Sequence, residues 1–146
     1  MTTAFTSEEM NRLTDGMKDA IVEVVVAGVL ANGSTSEARL AKCEAELRKV
    51  PWGRTEDDML ETVKDAFSKI DSFTTVEQAV GLVKHAAQTI PEPAIREKTF
   101  ALLARVMYMG KPLDEKEKTV LAAFVMGFEL DRARVQEIVD EVKKDV

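Results

Sequence analysis

From Phe100 to Met109 the chain is apolar at every position except Arg105. A helix of that composition has no face to offer water, so it must be wrapped by other helices on nearly all sides. It predicts a central strut. Gly110 and Pro112 stop it, and Asp114 followed three residues later by Glu117 has the form of a capping box, in which each side chain satisfies an orphan N–H at the start of a new helix.

The same pattern occurs earlier, between Ala20 and Val50. An apolar run ends at Asn32-Gly33, Ser34 and Glu37 have capping-box spacing, and an amphipathic helix carries Leu40, Cys43 and Leu47. Counted from each glycine, Cys43 corresponds to Val120 and Leu47 to Phe124. The two stretches read as related helix–turn–helix halves of one bundle. The first apolar run is rich in β-branched residues, Ile21-Val22 and Val24-Val25-Val26, which makes a buried strand the rival reading. No other segment offers a strand to pair with it, and Met10, Leu13, Met17, Ile21 and Val24 keep helical phase through it.

The remaining segments repeat helix signals. Thr6 and Glu9 form a capping box at the first helix, which Gly16 can kink or split. Pro51-Trp52-Gly53 breaks the helix of Cys43, and Thr55 caps the next one, with acids at 56 to 58 and a stripe of Met59, Leu60, Val63, Phe67 and Ile70. Thr74 and Glu77 open a helix that ends before Pro91-Glu92-Pro93, Gly127 closes the helix that starts at Asp114, and Asp131 caps the last. The expectation is an all-α fold, one compact bundle of about seven helices spanning residues 1–146 as a single domain.

Bulk properties narrow the partners. A chain of 146 residues supports one core, and its longest apolar run is too short to span a bilayer. The start lacks the basic and apolar regions of a signal peptide, so a cytoplasmic location is expected. One cysteine rules out an internal disulfide, and a net charge of −6 with scattered basic residues disfavours nucleic acid.

Few groups could carry chemistry. His85 lies off the apolar stripe of its helix and reads as an exposed histidine, while Cys43 lies on its stripe and reads as core. Glu23 and Arg105 are the charges embedded in the two apolar helices; they are expected either to pair with one another or to lie on narrow exposed strips. Asp58 with Glu61 and Glu137 with Asp140 have the spacing of carboxylate pairs that hold magnesium in helical nucleotide hydrolases. A small metal-dependent hydrolase is the alternative they support, against a solvated outer face. The two glycine turns offer oxygen ligands for a divalent cation, Asn32, Ser34, Ser36 and Glu37 at the first and Asp114, Glu115 and Glu117 at the second, beside the capping role of Glu37, Asp114 and Glu117.

At these turns, in LANGSTSEARLAKCEAEL and VMYMGKPLDEKEKTVLAAFVMGF, the chain resembles the TerB family of tellurite-resistance proteins, in which an apolar helix runs twice into an Asp-Gly turn followed by an acidic helix start. The resemblance extends over about residues 17 to 143 in helix order. It implies a compact all-helical fold and a non-enzymatic bacterial protein of a stress-response system, binding or scaffolding protein partners, in some cases at a membrane. It also implies metal binding through acidic residues, for which Glu37, Asp114 and Glu117 are the positions carried over, with Gly33 and Gly110. The chain departs from the pattern where Asn32 and Met109 replace the turn aspartates and where Lys111 follows the second glycine.

Overall fold

The structure is a computed structural model that describes residues 4–30, 37–71, 76–108 and 113–145. Among the described residues all regular structure is helical: α1 Ser7–Arg12, α2 Asp15–Leu30, α3 Glu37–Lys49, α4 Glu56–Asp71, α5 Val76–Thr89, α6 Pro93–Met107, α7 Glu115–Gly127 and α8 Arg132–Asp145. The β-branched run is helix, part of α2. Eight helices stand among the described residues where about seven were expected, because the first one divides. Gly16 is not the cause. The chain leaves α1 at Leu13 in an extended conformation (φ −85, ψ 142), and Thr14 restarts it as α2, its hydroxyl accepting from the N–H of Met17 at 3.2 Å.

The two apolar runs meet. α2 packs against α4, α5, α6 and α3, and α6 packs against α2, α8 and α3, so α2 and α6 form the centre of one hydrophobic cluster to which every helix contributes. At Gly28 of α2 the pair comes close, and an added Cβ would stand 2.1 Å from Leu103 Cδ1. A side chain there would require Leu103 to move. α7 lies on α5, with Phe124 and Val120 buried, and α8 lies on α6.

The charges of the two central helices take separate partners. Glu23 accepts from Lys69 of α4 at 2.8 Å and not from Arg105, which faces α3 on the far side of α6 and lines a cavity with Lys42, Glu46 and Lys49. A side chain on a helix can pair only across the interface its own face makes, and the faces of Glu23 and Arg105 point to different neighbours.

Polar contacts fix the ends. Thr6 and Glu9 form the expected capping box, and Lys98 of α6 reaches Glu9, tying α1 to α6. Burial pushes the Glu9 carboxyl up, but Lys98 and the Thr6 hydrogen bonds outweigh it and hold it below the usual range. Arg96, half-buried near the start of α6, donates to the carbonyls of Ile90 at 2.6 Å and Phe128 at 3.1 Å, and also to that of Ala87. It thus collects the unsatisfied C-terminal carbonyls of both α5 and α7 with one cation, the charge those helix ends favour.

Candidate functional site: the corner between α3 and α4

The corner is built by the break at Pro51-Trp52-Gly53. With the helix stopped, Trp52 turns inward, 4% exposed, and its ring N–H donates to the Leu47 carbonyl at 2.8 Å, satisfying one of the last acceptors of α3. Gly53 takes a φ of +74, a left-handed conformation that side-chain-bearing residues rarely adopt. The corner is then clamped to α2 from two sides. Lys18, 8% exposed, donates to the Trp52 carbonyl at 2.7 Å. Arg54 donates to the carboxylates of Asp19 at 2.9 Å and Asp15 at 3.1 Å, and to the Thr62 hydroxyl at 3.3 Å. Burial lowers the affinity of the Arg54 guanidinium for its proton, but the two aspartates more than reverse this.

Between this corner and α4 lies a cavity of about 370 Å³, with Leu47, Val50, Pro51 and Trp52 on one side and Met59, Leu60 and Val63 on the other. The expected stripe of α4 forms only in part: Ala66 and Ile70 are buried against α2, whereas Met59, Val63 and Phe67 are half-buried and Leu60 is 41% exposed. α4 therefore presents more apolar surface than its packing on α2 consumes, and the surplus faces the cavity. Glu44, Arg48 and Glu56 stand at the rim. The cavity thus combines apolar walls with a mouth of mixed charge, on a backbone held by three polar clamps. Such a pocket suits an apolar ligand group, with little reorganisation on binding.

The residues singled out from sequence fall elsewhere. Asp114 and Glu117 form the anticipated capping box at α7, with the Glu117 N–H donating to Asp114 Oδ1 at 2.8 Å and the Asp114 N–H to Glu117 Oε1 at 3.1 Å. Glu117 is 1% exposed. Glu37 opens α3 on the exposed side, and α3 packs on α6 and α2 while α7 packs chiefly on α5. The rest of both glycine turns, with Asn32, Gly33, Ser34, Met109, Gly110 and Lys111, lies outside the described residues, as does Thr74. Among the described residues, no three His, Cys, Asp or Glu side chains are grouped so as to hold a metal ion.

His85 is exposed on α5, and Cys43 is fully buried, its thiol pushed up to about 12 by burial and, less, by the charge of Glu44. The two carboxylate pairs sit on helices with different neighbours, α4 on α2 and α8 on α6. On α8, Glu137 accepts from Arg134 at 3.2 Å and Asp140 from Gln136 at 2.8 Å. Asp19, Glu23 and Asp65 share a crevice between α2 and α4, where Arg54 and Lys69 neutralise the first two. Among the described residues no helix is long and apolar enough to cross a membrane.

Helical periodicity does not reveal the α3–α4 cavity. The available signals were Trp52, the only tryptophan, set in a Pro-Trp-Gly corner and followed by an arginine, and the adjacent apolar pair Met59-Leu60, which widens the stripe beyond what one neighbouring helix can cover. Comparison of the chain with protein-family models, with curated proteins and with solved structures finds no match.

Proposed function

We propose that the chain is a non-enzymatic binding module of the TerB-like kind, serving a tellurite-resistance or stress-response system, and that it binds a compact apolar ligand in the cavity between α3 and α4. The observation that carries the proposal is the surplus apolar face of α4, opposite Trp52 on a clamped corner. Interior side chains are close-packed, so a cavity of about 370 Å³ with seven apolar lining residues is a place where the molecule's own packing is left open. Its size lies toward the lower end of the roughly 300–1,000 Å³ of small-molecule sites. The all-helical fold and the engaged capping box before α7 support the TerB-like assignment. So does the burial of Cys43 and Leu47 at places matching Val120 and Phe124 in a second, related half. The divalent cation implied by the resemblance fits poorly at Asp114 and Glu117. Both carboxylates are spent on the first turn of α7, and Glu117 is inaccessible to a hard cation that needs several oxygen ligands.

Trp52 gives a direct test, because it lines the cavity and is the only tryptophan. The uncharged probe N-phenyl-1-naphthylamine is expected to bind saturably, one per chain, with energy transfer from Trp52. Leu60→Lys, at a position already 41% exposed, should weaken it at least tenfold without unfolding the chain. Absence of saturable binding, or binding indifferent to both Leu60→Lys and Met59→Lys, would refute the proposal. Binding of the probe only in competition with a partner protein's side chains would identify the ligand as part of a protein.

A further inference from the structure

Among the described residues two large apolar side chains are exposed, Leu60 at 41% and Met126 at 78%. They are opposite in shape. Leu60 lines the α3–α4 cavity, where the chain's own packing leaves room, whereas Met126 projects from the last turn of α7, where packing leaves a side chain over. α7 packs on α5 and α4 on α2, so the hollow and the projection belong to different parts of the surface.

The projection stands on a fixed base. Gly127 seats the end of α7 against Val83 and Lys84 of α5, whose nearest atoms would lie 2.8 and 3.8 Å from an added Cβ. The chain then turns back, the Glu129 N–H donating to the Met126 carbonyl at 3.1 Å and the Leu130 N–H to that of Val125 at 3.0 Å. This turn puts Glu129 at a φ of +55, the one positive value outside glycine among the described residues. Glycine suits such a helix end, and a residue with a side chain is strained there. The exposed Glu129 carboxylate makes no hydrogen bond or ion pair among the described residues that would offset the strain. Within the fold, glutamate has no advantage over glycine at this position.

Charge at the two places is complementary. Met126 is flanked by Glu129 and by Lys84, whose backbone lies beside Gly127, while Glu44, Arg48 and Glu56 stand at the mouth of the cavity. All five side chains are exposed, and none has an ion-pair partner among the described residues. We propose that the apolar group taken by the α3–α4 cavity is the Met126 side chain of a second copy of this chain, with Glu129 of that copy paired to Arg48 and its Lys84 to Glu44 or Glu56. The inference rests on the reading of this cavity as a site for an apolar ligand, and it names the ligand. An unbranched thioether fits an irregular hollow and packs favourably on an aromatic wall, here Trp52. Because the joined surfaces are unlike, the contact can repeat from copy to copy.

Sedimentation velocity of the full chain at rising concentration tests this, with Met126→Asp and Leu60→Lys as variants. Both changes fall on exposed positions, and circular dichroism checks that each variant is folded. The parent should associate reversibly, and each variant alone should stay a monomer. Mixed, the two variants should form a one-to-one pair and nothing larger, because one keeps the cavity and the other keeps the methionine. A mixture that stays monomeric would overturn the proposal, as would a parent that never associates. Association lost in Leu60→Lys but kept in Met126→Asp would overturn it too, since another surface of the copy would then cover the cavity. Arg48→Glu should weaken association severalfold and Glu129→Arg in the same chain should restore it; without recovery, the pairing of these two residues is wrong. N-phenyl-1-naphthylamine separates the inference from the reading beneath it. Saturable binding to Met126→Asp with no association of the parent would sink the second copy and leave the apolar site standing, whereas no binding to either would sink both.

Discussion

α3 and α7 follow the same instructions and end in different surroundings. Each comes after an apolar helix and a glycine turn, each starts with acids, and each buries two residues at matching places, Cys43 and Leu47 in one, Val120 and Phe124 in the other. α7 is laid along α5 and adds Phe128 at its cap, with Gly127 close enough to α5 that an added Cβ would stand 2.8 Å from Val83 Cγ1. α3 rests on α6 and α2 through a smaller anchor set, and a cavity opens along each flank. One local pattern has thus produced a packed element and an element with open sides. The difference comes from the neighbours: α5 lies flush on α7, whereas the corner at Trp52 sets α4 at a distance from α3.

The largest effect should separate the matched anchors themselves. Phe124 is fully buried in a close-packed interface, so Phe124→Ala is expected to destabilise by about 3–5 kcal/mol in urea denaturation. Leu47 lines the α3–α4 cavity, so the void left by Leu47→Ala opens onto existing space that water can enter. Its cost should lie near the bottom of the usual range for such a change, about 2 kcal/mol. Equal costs would mean that the two helices are equally well packed.

Next in size is the device that closes the packed half. Arg96→Met removes the donor shared by the carbonyls of Ala87, Ile90 and Phe128, and should cost roughly 2 kcal/mol or more. Arg96→Lys should recover less than half of that, because a compact ammonium cannot reproduce a planar fork directed at three acceptors. A lysine variant as stable as the parent would show that charge alone holds these helix ends.

How much of this was legible in sequence depends on the range of the interaction. The capping boxes at Thr6 and Asp114 were readable because donor and acceptor lie three residues apart, and the caps at Thr55 and Asp131 for the same reason. The central pair was readable because a helix apolar on all sides leaves only one place to go. The partner of Glu23 was not, since Lys69 lies 46 residues away and the choice between it and Arg105 depends on which helix covers which face. The division at Leu13 was hidden by an apolar phase that continues across it. Cavities are the least legible, being set by spacing between helices that no single segment encodes: Trp52 in its helix-breaking corner and the widened stripe at Met59-Leu60 mark the place but not the distance between α3 and α4.

A smaller effect distinguishes the two helix starts. Asp114→Ala breaks the box that holds Glu117 at the start of α7 and should cost about 1 kcal/mol. Glu37→Ala, at an exposed position, should change stability by less than about 0.5 kcal/mol. Millimolar Ca²⁺, Mg²⁺, Mn²⁺ or Zn²⁺ should leave the melting temperature of the parent where a chelator leaves it, because no ligand bound only by the native state is added. A rise in melting temperature that disappears in both Asp114→Ala and Glu117→Ala would instead make these carboxylates metal ligands.

An effect of similar size is a pH dependence that sets α3 apart from α7. Its anchor is a thiol, raised from 9.0 to about 12, where α7 has the non-ionising Val120. Well below pH 9 the thiol is protonated in both folded and unfolded chains and contributes no slope. Between 9 and 12 the unfolded chain releases the proton and the folded chain keeps it, so stability falls as pH rises. At half a unit above the ordinary value the loss should be roughly 0.8 kcal/mol. Cys43→Val, which imports the residue at the matching place in α7, should remove this component from the difference between the two stability–pH curves, whatever other groups titrate in both. Parallel curves for parent and variant between pH 8 and 10 would show that the thiol ionises as easily inside the fold as outside it, and that the α3 anchor is not sealed from water.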